Sequence, residues 1–260
     1  MYDLQEKIAF VTGAGQGIGR SVLEILASHG ACVVGIDVNK EKLTDVIDGL
    51  KKEGYKAYGY QADVSNSDEI EQVVNEVEKN IGAIDALVNV AGVLSIGEIC
   101  SFDESEWNRT FDVNTKGVFN VSRFVCGKMK QRKSGTVVTV SSNASAVPRQ
   151  GMAAYAASKA AATIFTKCLA LEMASYNIRC NIVSPGSTRT AMQEMMWKEG
   201  DEGASIIAGD LPSYRMGIPL QKMAMPVEIA ETVLFLLSDR ASHITMNNIC
   251  VDGGATLGAQ

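Results

Sequence analysis

A chain of 260 residues with 46% hydrophobic and 21% charged residues has apolar material for one large α/β core or two small ones. Its formal net charge of −6, with no Lys/Arg run beyond pairs such as Lys51-Lys52 and Arg132-Lys133, excludes a nucleic-acid binder built on a basic stripe. Six scattered cysteines and two histidines exclude a disulfide scaffold and argue against a metal site, leaving reduced thiols as the simplest account.

The opening stretch "MYDLQEKIAFVTGAG" lacks the basic flank and cleavage site of a signal peptide. No apolar run approaches the roughly 20 residues needed to span a bilayer. The expected location is the cytoplasm, with no membrane partner.

Residues 7–13 read as a buried strand and 17–30 as a helix ended by Gly30. A strand at 31–37 and a helix at 40–54 follow. Next come a strand at 56–63 and a helix at 67–82, with Ser67 as its N-cap. A strand at 84–92 leads into one long helix over roughly 104–133. A strand at 135–142, an alanine-rich helix at about 152–175 and a strand at 178–186 continue the alternation. Residues 187–225 break it. They carry six methionines (Met192, Met195, Met196, Met216, Met223, Met225) and the glycines Gly200, Gly203, Gly209 and Gly217. That composition fits a lid over a substrate or an irregular contact between subunits. A helix at 226–239 and a strand at 248–254 close the chain. Strand–helix alternation without a linker or repeat predicts a single Rossmann-type doubly wound α/β domain. It has about seven parallel strands with helices on both faces.

"TGAGQGIG" at 12–19 joins the first strand to the first helix. Gly13, Gly17 and Gly19 permit a tight turn and let backbone N–H groups approach a pyrophosphate. The second strand ends at Asp37, whose carboxylate suits two ribose hydroxyls and repels a 2′-phosphate, so it argues for NAD. Lys40 nearby softens that preference, and a helix cap is the alternative role for Asp37. Asp63, ending the third strand, sits where an adenine edge would lie or serves a turn.

Tyr155 and Lys159 are four apart on the alanine-rich helix and share a face. A free phenol has a pKa of about 10, and a nearby cation lowers it, so the pair suits proton abstraction from an alcohol. Ser142, at a strand's carboxyl end, is placed to hold the substrate oxygen. Asn114 is placed to anchor a water near Lys159. Singly, each has a structural explanation.

Together, "TGAGQGIG", "NVAG" at 89–92, "VNTKG" at 113–117, Ser142, Y-x-x-x-K at 155–159 and "SPG" at 184–186 resemble the short-chain dehydrogenase/reductase family over nearly the whole chain. The resemblance implies a nicotinamide cofactor and an Asn–Ser–Tyr–Lys tetrad, here Asn114, Ser142, Tyr155 and Lys159. It implies further cofactor contacts from Gln16, Ile18, Val64, Asn89, Ala91, Gly92, Pro185, Gly186, Thr188 and Thr190. Val90 departs from the pattern, since many relatives carry a second Asn there.

A narrower likeness, in "VPRQGMAAYAASKAA" and "RCNIVSPGSTRTAMQ", is to the branch that oxidises a small anionic cyclohexadiene diol with NAD in catechol siderophore synthesis. That substrate needs a local cation. Arg149, between Ser142 and Tyr155, is the first candidate, and Arg189 the second. Each is otherwise a surface or subunit-contact arginine. Gln150, Met152, Met192 and Gln193 are candidates to line the same pocket. Another alcohol, sugar or 3-oxoacyl thioester is the alternative substrate, and a non-catalytic dinucleotide sensor the alternative class. The likeness further implies a homotetramer and allows association with other enzymes of a siderophore pathway.

Overall fold

Seven strands form one parallel sheet in the computed structural model, which describes residues 4–195, 197 and 201–259. They are β1 (Ile8–Thr12), β2 (Cys32–Asp37), β3 (Ala57–Gln61), β4 (Ile84–Asn89), β5 (Gly135–Val140), β6 (Ile178–Pro185) and β7 (Asn248–Val251). Their order is β3-β2-β1-β4-β5-β6-β7. The central strands are apolar on both faces, as a sheet covered by helices on both sides requires; β1, "IAFVT", is buried at every position.

The helices are α1 (Gly17–Ser28), α2 (Lys40–Lys52), α3 (Ser67–Asn80), α4 (Glu104–Phe111), α5 (Gly117–Arg132), α6 (Ala153–Met173), α7 (Ala191–Glu194), α8 (Ala204–Ala208) and α9 (Pro226–Leu237). One face of the sheet packs Val11, Val33 and Val183 against Leu26, Ile47 and Leu234 of α1, α2 and α9. The other packs Phe10, Ile36 and Leu87 against Val74, Val125 and Ala170 of α3, α5 and α6. Two separate cores thus sandwich the sheet. The chain builds β1 to β3 outward, then returns to place β4 beside β1. That reversal opens a crevice at the strands' carboxyl ends.

Two local expectations are corrected. Asn66, not Ser67, caps α3: its side chain accepts from the backbone N–H groups of Asp68 and Glu69. Asn66 has extended backbone, whereas Ser67 is already helical. The long helix expected over 104–133 is interrupted by a π-helical stretch at Asp112–Lys116. A π turn inserts one residue into the ladder, a change that hydrophobic periodicity hardly registers.

The two ends of residues 187–225 are held together. Arg189 N–H donates to the Ala224 carbonyl (2.8 Å) and Ala224 N–H to the Ser187 carbonyl (3.0 Å). Met196 and residues 198–200, part of the expected lid, lie outside the described residues. Among those described, no helix is long and apolar enough to cross a membrane.

Candidate active site

A cleft of about 470 Å³ follows the carboxyl ends of β1 to β6. Its first wall is the glycine turn: Gly13, Gln16, Gly17, Ile18 and Gly19 all line it. A Cβ on Gly13 (φ +65°) would stand 2.8 Å from Ala91 Cα, and one on Gly19 would stand 2.0 Å from the Gly13 carbonyl oxygen. Only hydrogen fits at either position. No side chain caps the N-terminus of α1, so its first-turn N–H groups can meet an anion. Glycine cradle and uncapped helix together fit a dinucleotide pyrophosphate.

Asp37 lines the adjoining wall. Its Oδ2 accepts from Gly15 N–H (2.9 Å) and its Oδ1 from Asn39 N–H (2.8 Å). The cap of α2 is Asn39, so Asp37 is fixed and still faces the cleft. Asp63 and Val64 line the cleft after β3, and Asp63 also closes a turn, accepting from Ser65 N–H and Oγ–H at 2.8 Å each.

After β4, Val90, Ala91 and Gly92 line the cleft but Asn89 does not. Asn89 is buried, and its amide donates to Ser122 Oγ (3.1 Å) and Thr139 Oγ1 (3.4 Å). A strand-end Asn turned the other way would have the same sequence. Thr12, which sequence reasoning passed over, accepts from the N–H groups of Val90 (2.9 Å) and Ala91 (3.0 Å).

The reacting groups gather beyond that loop. Ser142, Tyr155 and Lys159 line one region of the cleft, with Met152 and the half-buried Arg149. Ser142 Oγ accepts from Ala144 N–H (3.1 Å), which fixes its rotamer. Lys159 is 5% exposed, and its Nζ donates to the Val140 carbonyl (2.9 Å). Burial lowers its pKa from 10.5 to about 8. Burial likewise pushes the Tyr155 phenol above its ordinary value, and the Ser142 hydroxyl pulls it partly back. The i,i+4 spacing alone predicts a phenol lowered by Lys159. The structure corrects this for the protein without its cofactor. Lys159 Nζ stands 5.9 Å from the Tyr155 ring centroid, engaged with Val140, and desolvation decides the direction of the phenol's shift.

Asn114 sits in the π turn, buried and off the cleft wall. Its Oδ1 accepts from Val93 N–H (2.8 Å), and its Nδ2 donates to the Val93 carbonyl (2.9 Å) and Ser158 Oγ (3.0 Å). Its side chain therefore ties the Gly92–Val93 loop to α6. A Cβ on Gly92 would lie 3.2 Å from Asn114 Oδ1 and 3.3 Å from Lys159 Nζ, so three segments converge on one glycine.

Pro185, Gly186, Thr188, Thr190, Met192 and Gln193 complete the wall after β6. Gln150 and Arg189 do not. Gln150 is exposed. The Arg189 guanidinium instead lies over the Trp197 ring, 5.6 Å from its centroid. Arg109 and Arg215 line the cleft without having been anticipated. No motif surrounds them, and only the tertiary fold brings them there.

Residues 7–201 match the family model described as short chain dehydrogenase. The chain is 55% identical to a 2,3-dihydro-2,3-dihydroxybenzoate dehydrogenase of Bacillus subtilis (strain 168), covering 98% of each chain. It is 40% identical to the enzyme of the same name from Escherichia coli (strain K12), covering 99% of this chain and 100% of that one. A solved gluconate 5-dehydrogenase from Burkholderia cenocepacia J2315, in complex with NADP and tartrate, superposes with a TM-score of 0.91 at 29% identity, covering 99% and 98%. Sheet order, glycine cradle and the Ser142–Tyr155–Lys159 grouping agree with these likenesses: the chain belongs to the short-chain dehydrogenase family, which uses nicotinamide dinucleotides.

Proposed function

We propose that this enzyme oxidises 2,3-dihydro-2,3-dihydroxybenzoate to 2,3-dihydroxybenzoate with NAD. The observation that carries the reading is one cleft holding Ser142, Tyr155 and Lys159 beside Arg149. That grouping offers a proton acceptor, a donor to the substrate oxygen and a cation for an acid. Relatives at 55% and 40% identity carry that activity in their names.

Tyr155, as phenolate, takes the proton of the substrate hydroxyl. Ser142 donates to the same oxygen as it gains carbonyl character. Lys159, protonated below its pKa of about 8, favours the phenolate across the shared helix face. Gly13–Gly19 and Asp37 would hold a nicotinamide dinucleotide, which would supply the acceptor for the hydride that leaves the carbinol carbon. The resulting ring ketone tautomerises to the aromatic catechol acid, which draws the reaction forward.

The test is direct. Purified protein with NAD and the dihydrodiol acid should form NADH and a fluorescent catechol acid in equal amounts. Failure on that substrate, with NADPH-dependent reduction of a 3-oxoacyl thioester, would overturn the reading.

Asp37 supports NAD over NADP. Its carboxylate is pinned by Gly15 and Asn39, so it cannot swing away from a 2′-phosphate at little cost. Asp37→Ala should raise KM for NAD roughly tenfold to a hundredfold and raise kcat/KM with NADP. Steady-state kinetics with both cofactors measures this, and an unchanged cofactor ratio would remove Asp37 from the role.

A further inference from the structure

Arg149 and Arg215 reach the cleft from separate segments, one after β5 and one from the stretch between α8 and α9. Both are half-buried, and both line the main cleft with Ser142 and Tyr155. Both also line a small hollow that adjoins it. Among the described residues, neither guanidinium makes a hydrogen bond or ion pair. Burial and the Arg215 charge press Arg149 downward, with Asp252 acting the other way. Asp252 is committed elsewhere. It accepts from Asn143 Nδ2 (3.3 Å), Gly254 N–H (2.9 Å), Thr256 N–H (3.0 Å) and Thr256 Oγ1 (2.8 Å). In a chain of net charge −6, two neighbouring cations without a carboxylate of their own leave a place for an anion.

The loop bearing Arg215 is closed at its neck. Asp210 N–H donates to the Arg215 carbonyl (2.8 Å) and Arg215 N–H to the Asp210 carbonyl (2.9 Å). Gly209 (φ +90°) and Gly217 (φ +77°) flank the neck, where an added Cβ would meet backbone at 2.7 and 2.5 Å. Arg215 is thus held in place, not left to wander. A third donor stands in the same wall: Gln193 is 8% exposed, and its buried Nε2 has no partner. A buried amide donor without an acceptor is costly unless a ligand supplies one.

We propose that Arg149 and Arg215 form a two-armed clamp on the substrate carboxylate, with Gln193 as a further donor, and that this clamp makes the enzyme select acids over neutral alcohols. A carboxylate has four lone-pair sites and can accept from both guanidiniums at once. One arm belongs to the loop that carries Ser142 into α6 and the other to the 187–225 segment, so an acid joins the two. The clamp deepens the proposed function and rests on it for the identity of the acid.

The test uses the full-length protein with NADH bound. Benzoate and benzamide are compared as ligands by NADH fluorescence, and the dihydrodiol acid is assayed in parallel. The wild type should bind benzoate at least about tenfold more tightly than benzamide. Arg149→Met and Arg215→Met should each abolish that preference and raise KM for the dihydrodiol acid roughly tenfold to a hundredfold, more than either changes kcat. Arg215→Lys should restore part of the preference, which a purely structural defect would not allow. No preference in the wild type, or full preference in Arg215→Met, would overturn the clamp. Loss of the benzoate preference in both variants, with no turnover of the dihydrodiol acid by the wild type, would uphold the clamp and sink the substrate assignment.

Discussion

Tyr155→Phe is expected to lower kcat by about a thousandfold or more while leaving NADH affinity within about threefold of wild type. Positioned general bases contribute roughly a hundredfold to ten-thousandfold, and this cleft offers no ready substitute. Lys159 is buried beside Tyr155, but its Nζ, 5.9 Å from the phenol ring centroid, is bound to the Val140 carbonyl. Ser142 is a donor to the substrate oxygen, not a base. The ring remains in the variant, so the cleft wall keeps its shape. NADH formation measures the rate and fluorescence titration the binding. Activity within tenfold of wild type would place the proton acceptor elsewhere.

Lys159→Met should have two opposed effects. Turnover should fall at least about a hundredfold, because only the Ser142 hydroxyl is then left in the protein to favour the phenolate. Stability should shift the other way as pH falls. The ordinary lysine value is 10.5 and the folded value is about 8. Between those values the unfolded chain binds more protons than the folded one, so wild-type stability rises with pH across the window. Below pH 8 the folded protein holds a buried cation and carries the full penalty, about 3 kcal/mol for a shift of that size. Methionine has no such titration. Going from pH 10.5 to pH 7, the variant should therefore gain roughly 3 kcal/mol relative to wild type. Urea unfolding of the cofactor-free proteins across that range checks it, and parallel curves would contradict it.

The fold was legible because its signals are local. Gly30 after α1 and apolar runs such as "IAFVT" announce elements without tertiary knowledge, although the Asn39 and Asn66 caps were not read from the sequence. The Tyr155–Lys159 spacing likewise puts both groups on one face whatever surrounds them. What the spacing does not carry is environment. Whether the phenol rises or falls depends on burial by residues far along the chain, and burial won. Side-chain direction in loops was equally hidden. Arg189 and Gln150 lie beside lining residues in sequence yet face elsewhere, while Arg215 arrives from a stretch of weak periodicity. Asn114 was recognised, but its π turn and its three bonds to Val93 and Ser158 were not.

The double acceptance by Thr12 has a mechanical meaning. The chain reverses direction of growth between β1 and β4, which divides the sheet into two halves, β3-β2-β1 and β4-β5-β6-β7. Thr12 stands at the end of the first and gathers two amide protons from the start of the second. It is 2% exposed, so no solvent competes for those bonds. One hydroxyl thus extends the β1–β4 pairing past the end of the ladder and fixes the loop that follows β4. Thr12 itself lies off the cleft wall, yet it fixes Val90 and Ala91, which form part of it.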